Sequence, residues 1–238
     1  MTGCEPSKWR RHWASIVLVN DSLYEYRQQE VTKQFTTEQE EFWAGKFGDE
    51  YIKRNASDQL TASNAAMFCK MISNCTGVES LIEFGANIGL NLMALRYLCP
   101  KWVMDAIEIN EEAVKRLEAW GGVNKIHHGS ILDFQSVQQW DIVLIKGVLI
   151  HINPGYLPRV YDAIFRASKR YIFLVEYYNP VPVEVEYRGN SGKLFKRDFA
   201  GELLDRYSNL RIVNYGFVWH RDTTFPQDDV TWFVLEKS

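Results

Sequence analysis

Two acidic residues, Glu83 and Glu108, each close an apolar run of the chain, and the first runs straight into a Gly85-x-Asn87-x-Gly89 turn. Glycines at such a turn let the backbone adopt conformations a side chain forbids and let a ligand approach the main chain closely. A carboxylate just before the turn suits a cationic ligand end such as an ammonium or sulfonium. A carboxylate ending the next apolar run, followed by Ile109, can accept both hydroxyls of a ribose. Phosphate binding is disfavoured. A dinucleotide fingerprint needs Gly-x-Gly-x-x-Gly and a P-loop needs Gly-Lys-Ser/Thr, whereas Asn87 stands in the middle of this turn and no Lys-Ser/Thr follows. The acid pair reads as a pocket for S-adenosyl-L-methionine, unless Glu83 and Glu108 only terminate buried strands.

Other chemistry-bearing residues lie at corresponding places. Lys146 ends the run IVLIK and Gly147 follows it, so both fall on the cofactor side. His151 arrives shortly afterwards, before Asn153 and Pro154. A histidine there has the titration range of a general base, or it is a structural residue bonded to the loop. Ser130 and Ile131 occupy the loop after a short third strand, where an adenine edge would lie. Glu176, Tyr177, Tyr178 and Asn179 stand at the mouth of a long loop carrying Arg188, Lys196 and Arg197. Arginine forks bind carboxylates and phosphates, so this loop is expected to hold an acceptor with an anionic group, or else it is a solvated charged loop. His151, Tyr178 and Glu176 form the expected catalytic set, and Tyr177, Asn179, Arg188, Lys196 and Arg197 the expected acceptor contacts.

The elements that must position these groups are legible from periodicity. Residues 81–98 read as strand, turn and helix, with Leu90, Met93, Ala94 and Tyr97 at helical spacing. Thr37 with Glu40 is a capping-box pair, opening two short helices that end at Arg54 and Asn55. Arg54 is a candidate to close over a bound cofactor. An amphipathic helix around Asn64–Ile72 feeds the first strand. Strands are expected at 103–109, 125–128, 140–146, 170–178, 211–220 and 229–236, with helices at 111–120, 156–167 and 198–207. The result is an α/β chain with a Rossmann-like, mostly parallel sheet of seven strands, an antiparallel C-terminal strand and helices on both faces. Residues 1–35 read as an N-terminal extension, 36–238 as the domain, 36–72 as a helical lid and 179–200 as the acceptor loop.

The 238 residues suit one α/β core. A net charge of −3 without a basic block argues against nucleic acid. No apolar stretch reaches the ~18 residues of a bilayer span, and the run SIVLVN is too short for an export signal. The four cysteines show no metal-ligand spacing and read as buried reduced thiols. The expectation is a cytoplasmic protein with a small-molecule acceptor, no nucleic acid, no membrane and no metal; homodimerisation stays open.

The strings EFWAGKFGDEYIKRN, IEFGANIGLN, IEIN, GVLIHINP, EYYNP, YRG, KRDFAG and DDVTWF, in this order, resemble the class I S-adenosylmethionine-dependent methyltransferases over residues 36–238. Within them the chain resembles the pseudaminic acid biosynthesis-associated methylases. That resemblance implies the seven-stranded sheet, S-adenosyl-L-methionine as cofactor, and a role beside nonulosonic-sugar or surface-glycan pathways. Glu83, Gly85, Asn87 and Gly89 match the first cofactor motif, Glu108 and Ile109 the ribose acid, and Ser130 and Ile131 the adenine loop. Asn87 departs from the more usual glycine. Other readings are a NAD-dependent sugar oxidoreductase, which lacks its fingerprint here, and an inactive cofactor-binding partner of a biosynthetic complex.

Overall fold

The computed structural model describes residues 35–55 and 57–238; the expected N-terminal lead-in, with Cys4, lies outside the described residues. Among the described residues three helices come first: α1 Glu38–Ala44, α2 Lys46–Asn55 and α3 Asp58–Ile72. The capping box forms as expected. Thr37 Oγ1 accepts the Glu40 N–H at 3.2 Å, and Glu40 Oε2 accepts the Thr37 N–H at 2.8 Å. Gly48 lets α2 pack tightly under α1, since a Cβ there would lie 2.0 Å from the Trp43 carbonyl oxygen.

The remaining elements alternate strand and helix: β1 Ser80–Phe84, α4 Leu90–Leu98, β2 Val103–Glu108, α5 Glu111–Trp120, β3 Lys125–His128, β4 Trp140–Lys146, α6 Leu157–Ala167 and β5 Ser168–Glu176. A small hairpin, β6 Val183–Glu184 with β7 Phe195–Lys196, precedes α7 Phe199–Arg206, β8 Leu210–Val218 and β9 Val230–Lys237. The main sheet has seven strands in the order β3-β2-β1-β4-β5-β9-β8. β3 through β5 pair in parallel, while β9 runs antiparallel to both its neighbours. This is the expected α/β architecture. Beyond β1 the chain builds β2 and β3 on one side and β4 and β5 on the other, so a crevice opens at the carboxyl ends of β1 and β4.

Period-two alternation divides the strand side chains between two cores. Leu81, Met104, Ala106, Ile142 and Leu144 pack with Phe68, Leu95 and Leu117 of α3, α4 and α5. Ile82, Phe84, Ile107, Val143 and Ile145 pack with Val160, Ile164 and Leu203 of α6 and α7. The same parity puts Glu83, Glu108 and Lys146 on the first face and Glu176 on the second.

Two sequence expectations need correction. Of the stripe expected through Leu90, Met93, Ala94 and Tyr97, Ala94 is buried together with Leu92 and Leu95, Leu90 and Met93 are half-buried, and Tyr97 is 81% exposed; the face toward the sheet is rotated from the expected one. The described cysteines are unpaired, but Cys69 is exposed and Cys75 and Cys99 are only half-buried. Among the described residues no helix is long and apolar enough to cross a membrane.

Candidate functional site

A cavity with about 920 Å³ of empty space, its open mouth included, fills the crevice at the strand ends, the place where ligands bind in open α/β sheets. The loops after β1, β2, β3 and β4 supply one side; α1 and α2 supply the other through Gln39, Glu40, Trp43 and Tyr51.

The glycine turn is built by close approach. Gly85 has φ +76°, and a Cβ there would lie 2.6 Å from Val148 Cγ2 of the loop after β4. Asn87 also adopts a left-handed conformation, φ 49°, which asparagine tolerates better than other side chains. Its Oδ1 accepts the Ile88 N–H at 2.7 Å, so the side chain braces the turn. Gly89 does not line the cavity. With φ +85° and 2.7 Å from a built Cβ to Leu117 Cδ2, it seats α4 against α5.

Glu108 is buried in the cavity wall. Its Oε2 accepts the Asn87 N–H at 2.6 Å, and its Oε1 accepts the N–H groups of Ile109 and Asn110 at 2.8 and 2.7 Å. Burial raises its pKa, against the pull of these three bonds. The main chain fills about three of a carboxylate's roughly four acceptor sites, leaving about one on Oε2 for a ligand hydroxyl rather than the two expected. Ile109, Ser130 and Ile131 line the same wall, beside the bare backbone of Gly129. Ser130 Oγ accepts the Leu132 N–H at 3.0 Å, which leaves its own O–H to donate.

Glu83 lies behind the cavity rather than on its wall. It is fully buried, with Oε1 accepting Asn91 Nδ2 at 2.6 Å. Its Oε2 and Asn91 Oδ1 are buried acceptors without partners among the described residues. Burial pushes its pKa up to about 8, opposed by the Asn91 bond and Lys146. Lys146 flanks Glu83 on the same sheet face and also misses the cavity lining. Its pKa is lowered by burial, with Glu83, Asp228 and Glu176 pulling it back. Arg54 stands outside the wall too, 5.4 Å over the Phe47 ring and 3.9 Å from Glu50.

His151 closes a 3-10 turn, Leu149–His151, after β4. Its Nδ1 lies 2.6 Å from the Lys193 carbonyl oxygen. A carbonyl only accepts, so Nδ1 carries the proton and Nε2 keeps a lone pair. The ring packs against Trp43 and Tyr187, with centroids at 4.5 and 5.0 Å. Burial lowers its pKa to about 4 despite the Lys193 bond, so the imidazole is neutral at neutral pH.

The other expected catalytic and acceptor residues do not converge on this cavity. Glu176 Oε1 accepts the Val148 and Leu149 N–H groups at 3.0 and 2.9 Å; it holds the turn that carries His151. Tyr178 is 44% exposed and pairs with Arg197 in an isolated bridge. Arg197 is bonded to Glu202 at 2.6 Å. Tyr177 donates to Asp228 at 2.7 Å, Lys196 lies over the Tyr177 ring, and Asn179 bonds the Val181 carbonyl. Arg188 lies over the Tyr187 ring, 5.9 Å from its centroid. None of these lines the cavity.

Sequence reasoning missed Gln39 and Trp43 and gave Glu40 only a capping role. Gln39 and Glu40 are buried in the cavity wall, and Gln39 Oε1, Glu40 Oε1 and Trp43 Nε1 are buried polar atoms without partners among the described residues. The signal available was the capping box itself, which occupies one glutamate oxygen and leaves the other to point elsewhere.

No protein-family model and no curated protein sequence matches the chain. Solved structures do share its fold. A SAM-dependent methyltransferase from Leishmania major superposes with TM-score 0.64 at 17% identity, covering 84% of this chain and 87% of that one. Magnesium protoporphyrin IX methyltransferase from Synechocystis PCC 6803, solved with SAM, gives 0.61 at 11%, covering 86% and 100%. The SAH-bound N-terminal domain of EvdMO1 gives 0.54 at 18%, covering 76% and 84%. The chain therefore has the fold seen in these methyltransferases.

Proposed function

We propose that the chain is an S-adenosyl-L-methionine-dependent methyltransferase acting on a small, polar, sugar-like acceptor. The observation that carries this reading is the buried Glu108 carboxylate, clamped by the Asn87 N–H across the glycine turn at the wall of the cavity. The residues present fit such a donor. Gly129 and Gly147 offer open backbone, since a Cβ on either would meet nothing within 4 Å. Glu108 has an acceptor site for a ribose hydroxyl, Ile109 and Ile131 give apolar faces for an adenine, and Ser130 has a free O–H. Behind the turn, Glu83 Oε2 and Asn91 Oδ1 are without partners among the described residues, and a cation brought against them would draw Glu83 into its charged form.

When bound, the donor supplies a methyl group on a positively charged sulfur that is already a good leaving group. The chain's task is then alignment and exclusion of water, where proximity supplies several kcal/mol. Helices α1 and α2 serve as the lid, through Trp43, Tyr51 and Ile52. With a hydroxyl acceptor, His151 Nε2 takes its proton; the Lys193 carbonyl holds the ring in the tautomer that can do so. Glu176 acts as a positioning residue for that turn. The resemblance to pseudaminic acid biosynthesis-associated methylases supports a sugar as acceptor class. A role as an inactive cofactor-binding partner gives the oriented His151 Nε2 no task.

The test is to supply the purified protein and cell extract with isotopically labelled donor and search for products heavier by one CH₂. A labelled glycan or sugar intermediate is expected. Absence of any labelled product above a control without the protein rules the transfer reading out.

A further inference from the structure

The cavity wall built by α1 and the turn carrying His151 presents an uneven set of hydrogen-bonding groups, three of them with the direction fixed by a bond to the neighbouring main chain. Gln39 Nε2 donates to the Gly192 carbonyl at 2.8 Å. Because that carbonyl can only accept, the amide is turned with Oε1 away from it, and Oε1 is buried and unpartnered. Glu40 Oε2 is engaged by the Thr37 N–H and hydroxyl at 2.8 and 3.0 Å, which leaves Oε1 buried and unpartnered. The neighbouring carbonyl, that of Lys193, holds His151 with Nε2 as an acceptor. The same wall offers one orphaned donor, Trp43 Nε1–H.

Three oriented acceptors against one oriented donor, with the Tyr51 hydroxyl of the same lining able to donate or accept, define the complement: a ligand that mainly donates. Buried polar atoms left unpaired are costly, and a set pinned this way cannot turn to suit an anion. Among the described residues that line the cavity there is no lysine or arginine, whereas two carboxyls, Glu40 and Glu108, are present. Lys193, whose carbonyl holds His151, has its ammonium paired with Glu38 at 3.1 Å and over the Phe42 ring. An acceptor carboxylate or phosphate placed here would meet two carboxyl groups and no counter-charge from the lining.

The geometry points to Gln39, Glu40, Trp43 and His151 as the acceptor subsite, selective for a hydroxyl-rich ring that bears no acidic group. This rests on the methyl-transfer reading of the same cavity and narrows its substrate class. It also relocates acceptor recognition from the basic loop of residues 179–200 to the first turn and a half of α1. The part that loop plays is different: its adjacent Gly192 and Lys193 carbonyls orient two of the recognition groups.

The experiment uses the full chain with S-adenosylhomocysteine present and absent, and two ring probes, methyl α-D-glucopyranoside and N-acetylneuraminic acid, followed by saturation-transfer NMR and titration. The glycoside is expected to bind more tightly than the acidic sugar. Glu40→Gln keeps an oxygen for the Thr37 cap while exchanging the free acceptor for a donor, and should weaken glycoside binding by at least about tenfold. Gln39→Met should do the same. Both variants should keep wild-type affinity for S-adenosylhomocysteine, which shows that they fold. Tighter binding of the acidic sugar, no binding of the glycoside, or unchanged glycoside affinity in both variants overturns the inference. Failure of S-adenosylhomocysteine to bind counts against the donor reading instead, and the variants' melting temperatures then show that they fold while the glycoside measured alone still decides the acceptor class.

Discussion

His151 Nδ1 lies 2.6 Å from the carbonyl oxygen of Lys193, forty-two positions further along the chain. That one contact settles the tautomer of the ring, ties the loop before β7 to the turn after β4, and leaves Nε2 as the acceptor a hydroxyl substrate requires.

Removing the ring should therefore separate chemistry from binding. His151→Ala is expected to lower kcat by roughly 10²–10⁴-fold, the usual contribution of a positioned base, with S-adenosylhomocysteine affinity unchanged. Single-turnover kinetics and calorimetry on the same preparation check both halves. Equal turnover in the variant would remove the base assignment.

The pH profile should carry the same signature. With the His151 pKa lowered to about 4 by burial, activity should show no break near 6.5 and should fall only as pH approaches 4. The linked stability has a definite sign. Between about 6.5 and 4 the unfolded chain binds a proton that the folded ring refuses, so the His151 contribution is present above 6.5 and is lost as pH falls through that window. Melting temperatures of wild type and His151→Phe across pH 4–7 should converge toward the acid side.

Glu176 should behave oppositely. Burial pushes its pKa up to about 7, so the folded state binds the extra proton between about 4.5 and 7. Its contribution is present at low pH and is lost as pH rises through that window. Glu176→Gln, which still offers an oxygen to the Val148 and Leu149 N–H groups, should gain melting temperature relative to wild type between pH 5 and 8.5. Glu176→Ala should lose about 1–3 kcal/mol by leaving those donors unpaired.

The glycine turn gives a steric test. At Gly85 an alanine would face both φ +76° and a 2.6 Å approach to Val148, so Gly85→Ala should destabilise the fold by about 1–3 kcal/mol and weaken cofactor binding. Gly147→Ala shares the positive φ but has open space around its Cβ. It should cost less stability and interfere mainly with binding, which differential scanning calorimetry and titration together can separate.

Much of this architecture was readable from the sequence, for physical reasons. The run from Leu81 through the glycine turn announces a strand, a tight bend and a helix, and the Thr37–Glu40 pair announces a helix start, because both signals are local. Partners distant in sequence were not readable. Nothing at Arg197 says that Glu202 engages it, and nothing at Gln39 says that the Gly192 carbonyl will turn its amide. Glu176 was legible in hindsight: it shares strand parity with Ile172 and Leu174, the face away from Glu83 and Lys146. Helix α4 misled because both of its faces carry apolar residues, and only tertiary packing chose Leu92 and Leu95 over Tyr97.

The central claim is that Glu108, held across the glycine turn, binds the ribose of a sulfonium donor. Isothermal titration of the wild type and Glu108→Gln with S-adenosylhomocysteine tests it most directly. The account predicts saturable one-to-one binding by the wild type and at least about tenfold weaker binding by the variant, measured at a temperature where the variant is still folded. A wild type that takes up no S-adenosylhomocysteine, or a folded variant that binds it as tightly as the wild type does, would contradict it.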